Sequence, residues 1–69
     1  MARGEILWFD HKRGFGFIRP DMGPKDVFVH ISAIVDSESN PLSPGDRVEF
    51  ELMQASDGRL TAERVLPLR

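Results

Sequence analysis

The chain has no cysteine, a single tryptophan and two histidines among its 69 residues. Without cysteine no disulfide or thiolate metal site can staple so short a chain, and a reducing compartment suits it. Long apolar runs are missing too, and none approaches the ~20 residues that a membrane span needs. The start, Met1-Ala2-Arg3-Gly4-Glu5, is not followed by an apolar h-region. No signal peptide is therefore expected, and the chain reads as soluble and cytoplasmic. It carries no excess of positive charge: the formal net charge is −2. That argues against binding duplex DNA through charge alone. The set needed for acid–base chemistry is also lacking. His30 could pair with Asp26 on one strand face, but no nucleophile or second carboxylate completes the group. No enzyme, cofactor or metal site is expected, since the same ligand shortage excludes a metal.

A chain of this length makes one domain, expected over residues 1–69 with its core in 4–66. Such a domain buries only about 60% of its unfolded surface, so its stability is small. There is no internal repeat, and no stretch keeps a 3.6-residue apolar period long enough for a helix. Clusters of Gly, Pro, Asn, Asp and Ser punctuate the chain about every ten residues, the spacing of short strands in a sandwich or barrel.

Residues 4–10 read as a first strand. Ile6, Leu7, Trp8 and Phe9 do not alternate, which implies a bulge that lets both Ile6 and Phe9 find cover. Residues 14–19 form a second strand and 26–30 a third. Ser32-Ala33-Ile34 is expected to make one helical turn with Ser32 as N-cap. Residues 35–45 are the longest stretch without pattern, and Pro44-Gly45 has the order of a type II turn. Residues 46–54 alternate Val48, Phe50 and Leu52 with Arg47, Glu49 and Glu51. Ser56-Asp57-Gly58 is a hairpin turn leading to a fifth strand over 59–66. The fold class is all-β, and five antiparallel strands in so short a chain call for a small closed barrel.

The chain is organised around Arg13-Gly14-Phe15-Gly16-Phe17-Ile18, answered by Val27-Phe28-Val29-His30. Side chains alternate across a strand. Gly14, Gly16 and Ile18 share one face, and Phe15, Phe17 and Arg19 the other. Val27 and Val29 oppose Asp26, Phe28 and His30. A one-residue slip would bury Arg19, Asp26 and His30 together. The phenylalanines therefore face outward. The core can be filled without them by Ile6, Ile18, Val27, Val29, Ile34, Val48, Phe50, Leu52, Leu60 and Val65. Rings exposed together need a partner. Every base has a π-face, and each stacked base contributes about 1–3 kcal/mol. Duplex DNA hides its bases, so the expected partner is single-stranded RNA or DNA. Lys12, Arg13 and Arg19 stand beside the rings, where they can meet phosphates or stack. The alternative is a protein-interaction module that uses the same patch.

From Gly4 to Val65 the chain resembles the cold-shock domain of bacterial cold-shock proteins and eukaryotic Y-box proteins. Trp8-Phe9, Arg13-Gly14-Phe15-Gly16-Phe17-Ile18, Val27-Phe28-Val29-His30 and Ser32-Ala33-Ile34 match its motifs in order and spacing. The resemblance implies a five-stranded antiparallel barrel of the OB type. It implies binding of single-stranded nucleic acid, as an RNA chaperone or a regulator of transcription and translation. Trp8, Phe15, Phe17, Phe28 and His30 would stack on bases, Phe9 would support them, and Lys12 and Arg13 would lie near the backbone. Ile31 stands where the family usually has Phe, and Asp10 where it has Asn. Glu5 and Leu7 replace lysines, and the aromatic usual near Ser39 is missing. Weaker binding and a shorter footprint are expected. A monomer is expected, with a strand-swapped dimer hinged on 35–45 as the alternative.

Overall fold

A computed structural model describes residues 1–39 and 41–68. It contains β1 (Ala2–Asp10), β2 (Phe15–Pro20), β3 (Val27–His30), a 3-10 turn over Ile31–Ala33, β4 (Arg47–Gln54) and β5 (Leu60–Pro67). The strands close into a barrel in the order β1-β2-β3-β5-β4. Four of the five joints are antiparallel, but β3 meets β5 parallel, at Phe28 and Thr61. The expectation of a wholly antiparallel barrel is corrected there. After β3 the chain goes to β4 and returns through the β4–β5 hairpin, so β5 arrives beside β3 running the same way. A parallel bridge from Ile34 to Val65 extends this seam.

The bulge inferred from the unbroken apolar run lies between Ile6 and Trp8. Ile6 pairs with Ile18, and the next pair is Trp8 with Phe17, leaving Leu7 as the extra residue. One inserted residue reverses the parity of everything after it. Gly4 and Ile6 are buried before the bulge, whereas Trp8 is 42% exposed after it and Phe9 packs against the core. β5 uses the same device. Between Glu49 and Glu51 its register shifts, and Arg64 takes a φ of +50°. That lets Ala62 and Val65, three positions apart, both point inward.

The core holds Ile6, Ile18, Val27, Val29, Ile34, Val48, Phe50 and Val65, as expected, with Ala62 and Leu42 added. Leu60 is partly buried. Leu52 is not core: it is 47% exposed. β1 covers β4 only as far as the Ala2–Phe50 pair, so β4 runs on past its neighbour and residues 51–54 form an exposed edge. Leu42 makes the converse correction. It sits in the stretch read as patternless, yet it is 1% exposed and closes the barrel from its loop. Asn40, also in that stretch, lies outside the described residues.

Two turns form as their residues require. The Asp46 amide donates to the Ser43 carbonyl at 3.0 Å, and Gly45 supplies the left-handed φ of +90° that a type II turn needs. The Gly58 amide donates to Ala55 at 2.9 Å across the β4–β5 hairpin. The helical turn differs in its cap. His30, not Ser32, is the N-cap, because the ring of His30 accepts from the Ser32 amide. Residues 66–68 are no loose tail. β5 continues to Pro67, and the Leu68 amide donates to Arg47 at 2.8 Å.

Candidate nucleic-acid interface

Four rings meet on the outer face of β1, β2 and β3. Trp8 lies 5.6 Å from Phe15 and 5.5 Å from Phe17, centroid to centroid. Phe28 lies 5.8 Å from Phe15, nearly parallel at 27°, and 5.7 Å from Phe17, edge to face at 76°. The contacts close a cycle in which every ring touches two others. Strand register explains it: Trp8 is paired with Phe17, Phe17 with Phe28, and Phe15 with His30. The bulge at Leu7 is what brings Trp8 into that row. The three phenylalanines are half-buried, each shielded sideways by its neighbours, while Trp8 and His30 are exposed. Separations of this kind lie in the range where ring pairs attract, so the four rings support one another.

Gly16 makes the close approach of β1 and β2 possible. A Cβ there would lie 2.3 Å from the Trp8 carbonyl oxygen and 2.9 Å from the Phe9 Cα. Phe9 is set apart from the four-ring cycle, its ring 5.0 Å from that of His11. It packs against the core under the β1–β2 turn.

Lys12 and Arg13 are exposed in that turn. Asp10 shapes it: one carboxylate oxygen accepts from the Lys12 amide at 2.9 Å and the Arg13 amide at 3.0 Å. The other lies 3.8 Å from the Arg13 guanidinium, so part of that charge is already answered. His30 accepts from the Ser32 amide at Nδ1, 3.1 Å away, which fixes the ring beside Phe15. Ile31 fills the place beyond it, with its Cγ2 3.0 Å from where a Cβ on Gly14 would stand.

At the opposite end, Phe17 and Phe28 form one wall of an open groove of about 820 Å³. Lys25, Asp26 and Arg59 line it as well. Sequence reasoning left Lys25 and Arg59 out of the site. No local pattern could include Arg59, because only the parallel β3–β5 joint carries the β4–β5 turn to Phe28.

Below the rings the outer face is polar. Arg19 pairs with Glu5 at 2.7 Å, Arg3 with Glu49 at 3.2 Å, and Arg47 donates to Asp21 at 2.8 Å. Each pair is exposed and weak by itself. Two carboxylates are held below their ordinary value: Asp10 chiefly by the Arg13 amide, Asp21 chiefly by the Arg47 guanidinium. A carboxylate depressed in the folded state stabilises the fold above its unfolded value, and that stability is lost as pH falls through the folded value. The thermal midpoint is therefore expected to hold near neutrality and to drop on acidification below about pH 4. In Asp21→Asn the midpoint should be lower at pH 7 and its acid drop smaller. An unchanged acid drop in a series of melts would show that the Asp21–Arg47 pair contributes nothing.

A family model described as the 'Cold-shock' DNA-binding domain matches residues 2–68. The chain belongs to the cold-shock domain family. It is 48% identical over 56 residues to the cold shock-like protein CspE of Escherichia coli K12, covering 81% of each chain. It is 41% identical over 66 residues to the probable cold shock protein y4cH of Sinorhizobium fredii, covering 94% of this chain and 96% of that one. Among solved structures, Drosophila Unr CSD456 superposes with a TM-score of 0.83 at 32% identity. That likeness covers 99% of this chain but 26% of the Unr chain. The barrel is thus an OB-type cold-shock domain, and cold-shock domains bind nucleic acid. In this chain the outer face of β1, β2 and β3 presents a cluster of four rings. Among the described residues, no helix is long and apolar enough to cross a membrane. Nor does any group of three or more His, Cys, Asp or Glu among them stand placed to hold a metal ion.

Proposed function

We propose that this cold-shock domain binds single-stranded RNA or DNA by stacking unpaired bases on Trp8, Phe15, Phe17 and Phe28. The observation that carries this reading is the closed cycle of four rings on one outer face. His30 extends the row past Phe15. Phe9 supports the turn from below, and Lys12 and Arg13 meet the backbone there. The domain acts as one monomeric unit over 1–69, in the cytoplasm, as an RNA chaperone or a regulator of transcription and translation. It is a binding module, not an enzyme.

Stacking supplies most of the affinity. Three or four stacked bases at about 1–3 kcal/mol each outweigh the few exposed cations. A fluorescence titration of Trp8 tests this directly. A short pyrimidine-rich single strand should quench it, and the matching duplex should not. Between two salt concentrations the slope of log K against log salt should stay shallow, about 0.7 for each of two or three phosphate contacts. A slope equivalent to six contacts or more would mean that charge, not stacking, dominates. No quenching by the single strand, with the protein folded, would sink the reading.

A further inference from the structure

The outer face of β2 carries Phe15, Phe17 and Arg19 in alternation. Arg19 is thus the next outward group after the platform. Its position invites a phosphate, since a strand whose bases lie on Phe17 and Phe28 must run its backbone past the platform's edge. Yet Arg19 is already engaged. Glu5, its cross-strand partner on β1, holds the guanidinium at 2.7 Å. Asp26, which lines the groove beside Phe17 and Phe28, adds a smaller negative influence on the same guanidinium. Arg47, the other cation near Glu5, is held by Asp21. Among the described residues, Lys12 and Lys25 are the lysines of the platform's two ends, and neither forms an ion pair.

We infer that Glu5 is a built-in attenuator of nucleic-acid affinity, withholding Arg19 from a phosphate site at the edge of the ring platform. Two costs arise when a strand arrives. If Arg19 stays with Glu5, the phosphate goes uncontacted. If Arg19 turns to the phosphate, the Glu5 carboxylate is left unpaired beside a second anion. The side chains are 62% and 35% exposed, so the pair is exchangeable rather than locked. The device lowers affinity without touching a stacking ring, and keeps the complex readily released.

This inference rests on the stacking reading above, and one titration series separates the two. Trp8 quenching by a short oligo-dT single strand is measured at low and moderate salt. The proteins are the parent chain, Glu5→Gln, Glu49→Gln and the double variant Glu5→Gln/Arg19→Gln. Glu49→Gln removes the same charge from the same face, but frees Arg3 at the far end of β1 from the rings. Glu5→Gln should tighten binding by roughly three- to tenfold at low salt and steepen the salt slope by about 0.7, one added phosphate contact. Glu49→Gln should give a clearly smaller gain, and the double variant should lose the gain of Glu5→Gln. Melts confirm folding, and Glu5→Thr repeats the test with a strand-favouring residue. Equal gains from Glu5→Gln and Glu49→Gln would reduce the effect to net charge and overturn the inference. So would a double variant that keeps the gain. If the parent chain shows no quenching at all, the stacking reading fails and takes the inference with it.

Discussion

Replacing Phe17 by alanine is expected to weaken binding of a single-stranded oligonucleotide about ten- to hundredfold while leaving the domain folded. The ring stands in the middle of the platform, touching Trp8 at 5.5 Å and Phe28 at 5.7 Å. Its loss removes one stacking face, about 1–3 kcal/mol. It also strips the lateral support that orders the two rings beside it. For that reason a Phe17→Ala/Phe28→Ala pair should lose less than the sum of its parts, since groups in contact do not add. The core is untouched, because Ile18 and Gly16 carry the inner face of the same strand. The contrast with Phe50 sharpens the test. Phe50 has the same side chain but is 0% exposed at the barrel's centre. Phe50→Ala should cost about 3–5 kcal/mol of stability. A single small core rarely supplies more than that, so the variant should be largely unfolded. Circular dichroism and Trp8 titration on both variants decide the matter. If Phe17→Ala unfolds and Phe50→Ala does not, the assignment of faces is reversed.

These two phenylalanines also show what could be read from sequence. On β2 and β3 the alternation is strict and each face has a consistent character, so parity alone set Phe15, Phe17 and Phe28 outside and Ile18, Val27 and Val29 inside. On β1 the absence of alternation was itself informative, since four apolar residues in a row cannot all be served by a regular strand. What stayed hidden depends on where other strands end. Val48, Phe50 and Leu52 alternate perfectly, yet Leu52 is exposed because β1 stops covering β4 at Phe50. Leu42 has no periodic neighbours to announce it, and only the finished barrel shows the opening that it fills. The parallel joint between β3 and β5 is a matter of chain path, so the approach of Arg59 to the platform was not legible from any window of residues. The cap of the 3-10 turn lies two positions before Ser32, because the ring of His30 accepts the Ser32 amide. Serine, the commoner cap, was the expected residue.

The charges follow the same division. Composition argues that any binding leans on stacking more than on Coulomb attraction, and the structure pairs several of the cations with carboxylates. Arg3, Arg19 and Arg47 each face a carboxylate across a strand or loop. Where the family commonly has lysine, this chain has Glu5, and it places Arg19 opposite. A cation is thus present near the platform but answered. Weak, salt-tolerant binding is the expected consequence of that arrangement, quite apart from how many rings the platform holds.

Gly16→Ala is expected to damage fold and binding together, and it joins the two halves of the structure. The residue sits on β2 between Phe15 and Phe17, two of the three platform phenylalanines, yet its effect acts through the backbone. A Cβ placed there would lie 2.3 Å from the Trp8 carbonyl oxygen, 2.7 Å from Phe9 Cδ2 and 2.9 Å from Phe9 Cα. Two of these three atoms belong to the main chain of β1 just after its bulge and cannot swing aside. Overpacking of a well-filled site typically costs about 1–3 kcal/mol, and a clash with fixed backbone falls at or above the top of that range. In a domain whose whole stability is of that order, a large unfolded fraction should appear in denaturant titrations at room temperature. The part that remains folded must push β1 away from β2. Since Trp8 is held opposite Phe17 by that pairing, its ring leaves the cycle, and oligonucleotide quenching should fall even when corrected for the folded fraction. Gly16→Ala that melts like the parent and binds as tightly would show that β1 can draw back without loss. The bulge at Leu7 would then not be what fixes Trp8 on the platform.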